Sequence, residues 1–353
     1  MLLKDNGQNI MKMTPKERVI AQINHQETDL IPYHLIFDPG SDIEDKMDQY
    51  YGSNEWRSQI KNAIYQLPLP STGINIKYGE RKFVDAYGSE WRLDLRPFSL
   101  EKPALSRPSL DGYKFPNVDD LFDEDWDANA LKLIEQEKDK FVVAAYGFGL
   151  FERSWVLRGF ENVLSDVVEN EDFYIELLDK LVDHQMQILE RLLKLPVDGI
   201  WFFDDWGYQQ GVLVGPARWR KLFKPRYEKM YRRTHESGKF VLSHCCGGIE
   251  KILPDVIEIG LDVYQSVQPE AKNNSPYELK QRFGDQITFW GGLGSQNMIP
   301  FGTPEEIKQE VRNLCKEMGK NGGYILAPAK EIQPETPCEN IVAVIEAFLE
   351  QTD

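Results

Sequence analysis

The sequence predicts an α/β protein built as one closed (β/α)8 (TIM) barrel, and three observations carry that expectation. Short apolar runs alternate with long amphipathic segments along the chain, the pattern of βα units feeding a parallel sheet. Eight such runs stand out, the number that closes a barrel. The chain has 353 residues, enough for a barrel of this kind with insertions.

The strands are expected at residues 31–37, 72–78, 141–147, 199–205, 240–246, 262–267, 287–292 and 324–328. Helix starts are written between them. Thr14-Pro15-Lys16-Glu17 is a capping box with proline at the first helical position, and Thr303-Pro304-Glu305-Glu306 and Thr336-Pro337-Cys338-Glu339 repeat the device. Tyr174, Leu177, Leu178, Leu181, Ile188, Leu189 and Leu192 keep helical spacing. Gly215-Pro216 opens a helix running toward Gly238, with a kink expected near Pro225. Residues 82–95 alternate apolar and polar side chains around Tyr87-Gly88, which reads as an antiparallel hairpin inserted early in the barrel. Residues 1–12 read as a flexible lead-in and 13–353 as the barrel.

Composition limits the function. The formal net charge is −16, which argues against nucleic acid and anionic membrane surfaces as partners. No run of about 18 apolar residues appears, and the first residues lack the apolar core of a signal peptide. The four cysteines, Cys245, Cys246, Cys315 and Cys338, suit a reducing compartment, so a cytoplasmic location is expected. No Walker motif, dinucleotide fingerprint or Gly-x-Ser-x-Gly elbow is present, which argues against nucleotide-dependent and serine-hydrolase chemistry.

Active sites of parallel barrels sit at the C-terminal ends of the strands. The fifth run ends Ser243-His244-Cys245-Cys246-Gly247-Gly248. Residues two apart on a strand share a face, so His244 and Cys246 point together and Cys245 points away. Imidazole plus thiolate suits zinc; a buried histidine and a core cysteine are the other reading. The fourth run ends Asp204-Asp205-Trp206-Gly207, paired acids fit to ligate a metal, hold a substrate or transfer protons, or else to cap a helix. Lys330 and Glu331 follow the eighth run, with Gln209, Gln268 and Gln296 after the fourth, sixth and seventh. Glu152-Arg153 follows the third, facing the site or pairing structurally. Trp206 offers a face for an aryl substrate, although core packing is the commoner role of such a ring. His34, in the first run, can point into the barrel and is assigned no role, while His25, His184 and His235 read as surface residues.

These segments together resemble a known family over nearly the whole chain. Met13-Thr14-Pro15-Lys16-Glu17-Arg18-Val19 with Asp29-Leu30-Ile31-Pro32, Gly149-Leu150-Phe151-Glu152-Arg153, Asp205-Trp206-Gly207, His244-Cys245-Cys246-Gly247, Gly291-Gly292, and Ala327-Pro328 through Pro334-Glu335-Thr336-Pro337 resemble the uroporphyrinogen decarboxylase superfamily. The nearest branch is its cobalamin (corrinoid)-dependent methyltransferases. The porphyrin decarboxylases carry an Arg-Gln-Ala-Gly-Arg-Tyr-type segment where this chain reads Asp38-Pro39-Gly40-Ser41-Asp42, so the basic clamp for a polycarboxylate is missing.

The resemblance implies transfer of a methyl group between a small methoxy, N-methyl or thiol compound and a corrinoid (cobalamin) held by a partner protein, assisted by zinc on His244 and Cys246. Methyltransferases of this branch often add a thiolate on strand eight. Lys330 stands there in this chain, leaving the shell to a carboxylate such as Glu331, Asp204, Asp205 or Glu270. Asp204, Asp205 and Lys330 become the expected catalytic residues, with Trp206, Gln209, Gln268, Gln296 and Glu152 around the substrate. A homodimer is compatible with this reading. Two rivals remain at this level: a metal-free decarboxylase-like lyase using Asp204 or Asp205, and a non-catalytic subunit that binds a corrinoid protein.

Overall fold

The structure, a computed structural model, describes residues 12–71, 81–94 and 98–352. Its strands are β1 (Ile64–Gln66), β2 (Lys82–Val84), β3 (Glu90–Arg92), β4 (Ser99–Lys102), β5 (Phe141–Phe148), β6 (Gly199–Phe203), β7 (Gly207–Tyr208), β8 (Gly211–Val212), β9 (Phe240–His244), β10 (Val263–Val267), β11 (Thr288–Leu293) and β12 (Tyr324–Pro328). Seven of them form one parallel sheet in the order β1-β5-β6-β9-β10-β11-β12.

Residues 31–37 close this sheet into a barrel without forming a regular strand. On one side Tyr33 bridges Leu326 and Phe37 bridges Ile332, both in parallel. On the other, Ala63 N donates to Tyr33 O at 2.9 Å, and the Asn62 amide takes the next two positions by bonding both N and O of Leu35. The ladder is irregular because Pro32 has no N–H and a side chain replaces main chain at Asn62. The second barrel strand is β1, eight residues before the expected 72–78, which lies outside the described residues. The expectation missed β1 because its run of three residues is too short for a periodicity to show.

Alternation along each strand sorts side chains into two layers. Phe141, Val143 and Ala145 of β5 point inward and meet Trp201, Leu242, Val263, Trp290 and Ile325 in the barrel interior. Val142, Ala144 and Tyr146 point outward to the helices, where Leu177, Leu181, Ile188 and Leu189 of the long helix Glu171–Leu192 are buried against them. Burying each large apolar side chain stabilises by about 1.5–3 kcal/mol.

The capping boxes at Thr14 and Thr303 form with both hydrogen bonds in place. The one expected at Thr336 does not: helix Cys338–Leu349 starts after Pro337, with no side-chain cap. The helix expected from Gly215 to Gly238 is two, Pro216–Leu222 and Lys224–Glu236, broken at Phe223, where Pro225 removes an N–H from the ladder.

β2 pairs antiparallel with β3, and β3 with β4, in a three-stranded sheet. Asp85 organises its first turn, accepting from Tyr87 N, Ser89 N and Trp91 Nε1. Arg153, 1% exposed, stands 3.6 Å from Asp85 and lays its guanidinium 3.8 Å from the centre of the Tyr87 ring. Arg153 therefore ties this sheet to the barrel. His184, expected at the surface, is buried and bonds Pro116 O at 2.9 Å, between the rings of Tyr87 and Phe115.

Candidate metal and substrate site

Strand register brings the site together. Phe203 of β6 pairs with His244 of β9, and His244 pairs with Gln265 of β10. Two residues further on, Asp205 and Cys246 stand opposite each other at the strand ends. Cys246 N donates to Asp205 Oδ1 at 2.8 Å. His244 Nε2 lies 3.3 Å from Cys246 Sγ and 3.5 Å from Asp205 Oδ1. These three side chains offer a nitrogen, a sulfur and an oxygen, all within 4.8 Å of one another. The other imidazole nitrogen, Nδ1, is hydrogen-bonded to Gln265 Oε1. An amide oxygen only accepts, so Nδ1 carries the proton and Nε2 faces the cluster.

The loops here interlock, and glycine is what lets them. A Cβ on Gly207 would lie 2.5 Å from Cys246 O, and one on Gly247, whose φ is +74°, would lie 2.5 Å from Tyr208 N. Gly247 N in turn donates to Gln268 Oε1 at 3.0 Å.

Burial disfavours a charged His244, but the charges of Cys246 and Asp205 outweigh it and raise the imidazole pKa well above its ordinary value. Burial likewise pushes Asp205 up, and its hydrogen bond to His244 brings it below the usual carboxylate range. Glu152, behind Asp205, is pushed well above that range by burial and by the charges of Asp205 and Asp204. Both effects disfavour a further negative charge next to the cluster.

Two cavities meet at this point. The inner one, about 260 Å³, runs into the barrel and is lined by His34, Trp201, Phe203, Asp205, His244, Gln265, Trp290 and Glu331 among others. Burial lowers the His34 pKa to about 4, so this ring is neutral. The outer one, about 530 Å³, opens at the mouth and is lined by Tyr208, Gln209, Gln268, Ser295, Gln296, Phe301 and Gln333 among others. Cys246 and Lys330 line both.

The expected site residues divide. His244, Cys246 and Asp205 form the cluster, with Lys330, Gln209, Gln268 and Gln296 around the cavities. Glu331 lines the inner cavity but stands outside the three-residue cluster; Asp205 holds the carboxylate position there. Asp204 turns away. It is fully buried and accepts from Phe151 N, Glu152 N, Trp206 Nε1 and Tyr227 Oη, capping helix Leu150–Arg158. Burial raises its pKa to about 6 against those four donors. Trp206 is buried with it, its ring against Trp219 and Tyr227, and lines neither cavity. Gln265 was the residue sequence reading missed. Its signal was its register opposite His244, which shows only once strands are paired.

A parallel barrel with a polar cluster at its strand ends defines an enzyme of the (β/α)8 class. The uroporphyrinogen decarboxylase (URO-D) family model matches residues 99–351. The chain belongs to that family. It is 28% identical over 356 residues to the methylcobamide:CoM methyltransferase MtaA of Methanosarcina barkeri, covering 95% of this chain and 98% of that protein. It is 27% identical over 194 residues to the uroporphyrinogen decarboxylase of Thermus thermophilus, covering 55% of this chain and 53% of that one, so the match spans about half the relative's length. A solved methyltransferase from Methanosarcina mazei shares the fold, with a TM-score of 0.70, 20% identity, and 97% and 100% of the two chains covered. Among the described residues no helix is long and apolar enough to cross a membrane.

Proposed function

We propose that this protein is a methyltransferase that moves a methyl group between a small methoxy, N-methyl or thiol compound and a corrinoid carried by a partner protein, at a zinc ion held by Asp205, His244 and Cys246. The carrying observation is the convergence of three ligand atoms within 4.8 Å of one another at the barrel mouth. Ligands about 2.0–2.3 Å from a tetrahedral zinc stand roughly 3.3–3.8 Å apart. His244 Nε2 keeps that spacing to both Cys246 Sγ, 3.3 Å, and Asp205 Oδ1, 3.5 Å. Catalytic zinc sites use three protein ligands and leave the next position to substrate. The nearly full-length similarity to a methyltransferase supports the reaction class.

When bound, zinc supplies Lewis acidity, lowering a thiol's pKa or polarising the heteroatom that gives up the methyl group. Gln265 fixes the tautomer and orientation of His244. Cys246 N holds the Asp205 carboxylate in place. Burial and the charges of Asp205 and Asp204 bias the Glu152 carboxyl toward its uncharged form, which limits the negative charge beside the cluster. Trp201, Phe203 and Trp290 give the inner cavity aromatic walls beside the polar cluster.

Metal analysis tests the reading. The purified protein is expected to hold zinc, and the His244→Ala/Cys246→Ala double variant to lose it. Unchanged zinc in the double variant defeats the assignment. A screen of methoxylated, N-methylated and thiol compounds with Co(I) and methylated corrinoid then tests transfer; carbon dioxide release from carboxylated pyrroles without metal would instead favour the lyase.

A further inference from the structure

The two cavities differ in chemistry, and the difference orients a substrate. The inner one pairs aromatic walls with two carboxylates, Asp205 and Glu331. The outer one presents hydrogen-bond donors. Gln268 is 7% exposed, and its Oε1 is taken by Gly247 N, which turns its Nε2 to the cavity it lines. Gln296 Oε1 is taken by Gln209 Nε2 at 3.1 Å, which leaves its own amide N–H groups to the same space. Among the described residues none accepts from Gln268 Nε2, Gln296 Nε2 or Lys330 Nζ. Lys330 is exposed and stays unpaired although Glu331 and Glu335 are close in sequence. Among the described residues that line the outer cavity the one acidic side chain, Glu335, is itself exposed.

We infer that Lys330, with the amides of Gln268 and Gln296, binds the anionic end of the substrate, so that the substrate is a small carboxylate-type anion whose methyl-bearing or thiol heteroatom reaches the Asp205–His244–Cys246 cluster. Lys330 and Cys246 line both cavities, so a molecule with its heteroatom at Cys246 shares that space with Lys330. Glu331 in the inner cavity repels an anion and the donors of the outer cavity attract it, which favours the anionic end in the outer cavity. This inference rests on the proposed methyl transfer for the identity of the heteroatom, but the charge preference is measurable without turnover.

The test compares acids with their neutral amides. 3-Mercaptopropionate, methoxyacetate and 3-methoxybenzoate, each with its primary amide, are titrated calorimetrically into the zinc-loaded protein, Lys330→Gln and Lys330→Arg. At least one acid is expected to bind about tenfold tighter than its amide, as a charge-assisted hydrogen bond gives. Lys330→Gln should abolish that preference, Lys330→Arg should keep most of it, and zinc content should not change in either. Equal binding of acid and amide, no binding of any acid, or a preference that survives in Lys330→Gln overturns the inference. Loss of zinc from His244→Ala/Cys246→Ala with no acid preference sinks this inference alone; acid preference with no zinc dependence sinks the proposed metal site alone.

Discussion

His244 and Gln265 sit opposite each other in the register of β9 and β10, and Nδ1 of the imidazole is hydrogen-bonded to the amide oxygen of Gln265. That contact decides which nitrogen meets Cys246 and Asp205. Outer partners of metal-bound histidines typically change metal affinity about 10–100-fold when removed. Gln265→Leu is therefore expected to weaken zinc binding by about that factor, with folding retained. Competition against a chelator of known affinity measures it. An unchanged zinc constant would show that the contact is packing only.

The same histidine makes metal affinity and stability depend on pH in opposite senses. Its pKa in the metal-free protein is held well above the ordinary value by Cys246 and Asp205. A protonated imidazole cannot ligate, so zinc must displace a proton. Affinity should rise with pH through the neutral range, by about tenfold per unit for each proton released. Calorimetry in buffers of different ionisation enthalpy counts that proton. The metal-free protein behaves the other way. A raised folded-state pKa means the native state binds more protons than the unfolded one, so stability is fully present below about pH 6.5 and lost as pH rises through the folded value. Measured as the difference from His244→Ala, this decline should appear without zinc and vanish with it. A flat difference across roughly pH 6–9 would contradict the assigned environment.

The readable part of the site was the part written in short sequence spacing. His244 and Cys246 share a face because strands alternate, so that pair needed no structure. The barrel itself followed from its long buried runs, β5, β9, β11 and β12. What stayed hidden depends on pairing between strands or on burial. Asp205 and Asp204 are neighbours in sequence with opposite fates: one faces Cys246, and the other turns outward to cap helix Leu150–Arg158. Sequence cannot tell which of two adjacent acids a strand end presents inward. β1 was hidden by its three-residue length, and residues 31–37 were seen as a strand although a side chain of Asn62 stands in for half of their ladder.

Asp204 tests the split between these acids. Its two oxygens take four donors, Phe151 N, Glu152 N, Trp206 Nε1 and Tyr227 Oη. An asparagine in its place keeps one acceptor oxygen and sets an N–H₂ group against the remaining donors. The Asp204→Asn protein should lose about 2–3 kcal/mol of stability, since buried unsatisfied donors are costly. It should bind zinc as the parent does, because no cluster atom is removed. Urea unfolding and zinc titration of the same sample measure both. A stable variant with impaired zinc binding would return Asp204 to the reacting site.

Arg153 supplies the matching test at the barrel's outer sheet. It is nearly fully buried between Asp85 and the Tyr87 ring, and Asp85 is the acceptor that shapes the β2–β3 turn. Removing one member of a buried ion pair leaves the other charge uncompensated, which typically costs about 3–5 kcal/mol. Arg153→Met should lose stability in that range, and lose more than Asp85→Asn/Arg153→Met, in which no buried charge is stranded. The coupling between the two positions, read from a double-mutant cycle in urea, isolates the pair from the loss of packing. Because Glu152, one residue earlier, belongs to the metal cluster's surroundings while Arg153 belongs to the sheet, zinc affinity should stay within a few-fold of the parent in all three proteins. A cycle with no coupling would mean that the sheet is held to the barrel without this pair, by the apolar contacts of Trp91, Phe148 and Trp155 and by Ser89 Oγ donating to Val156 O.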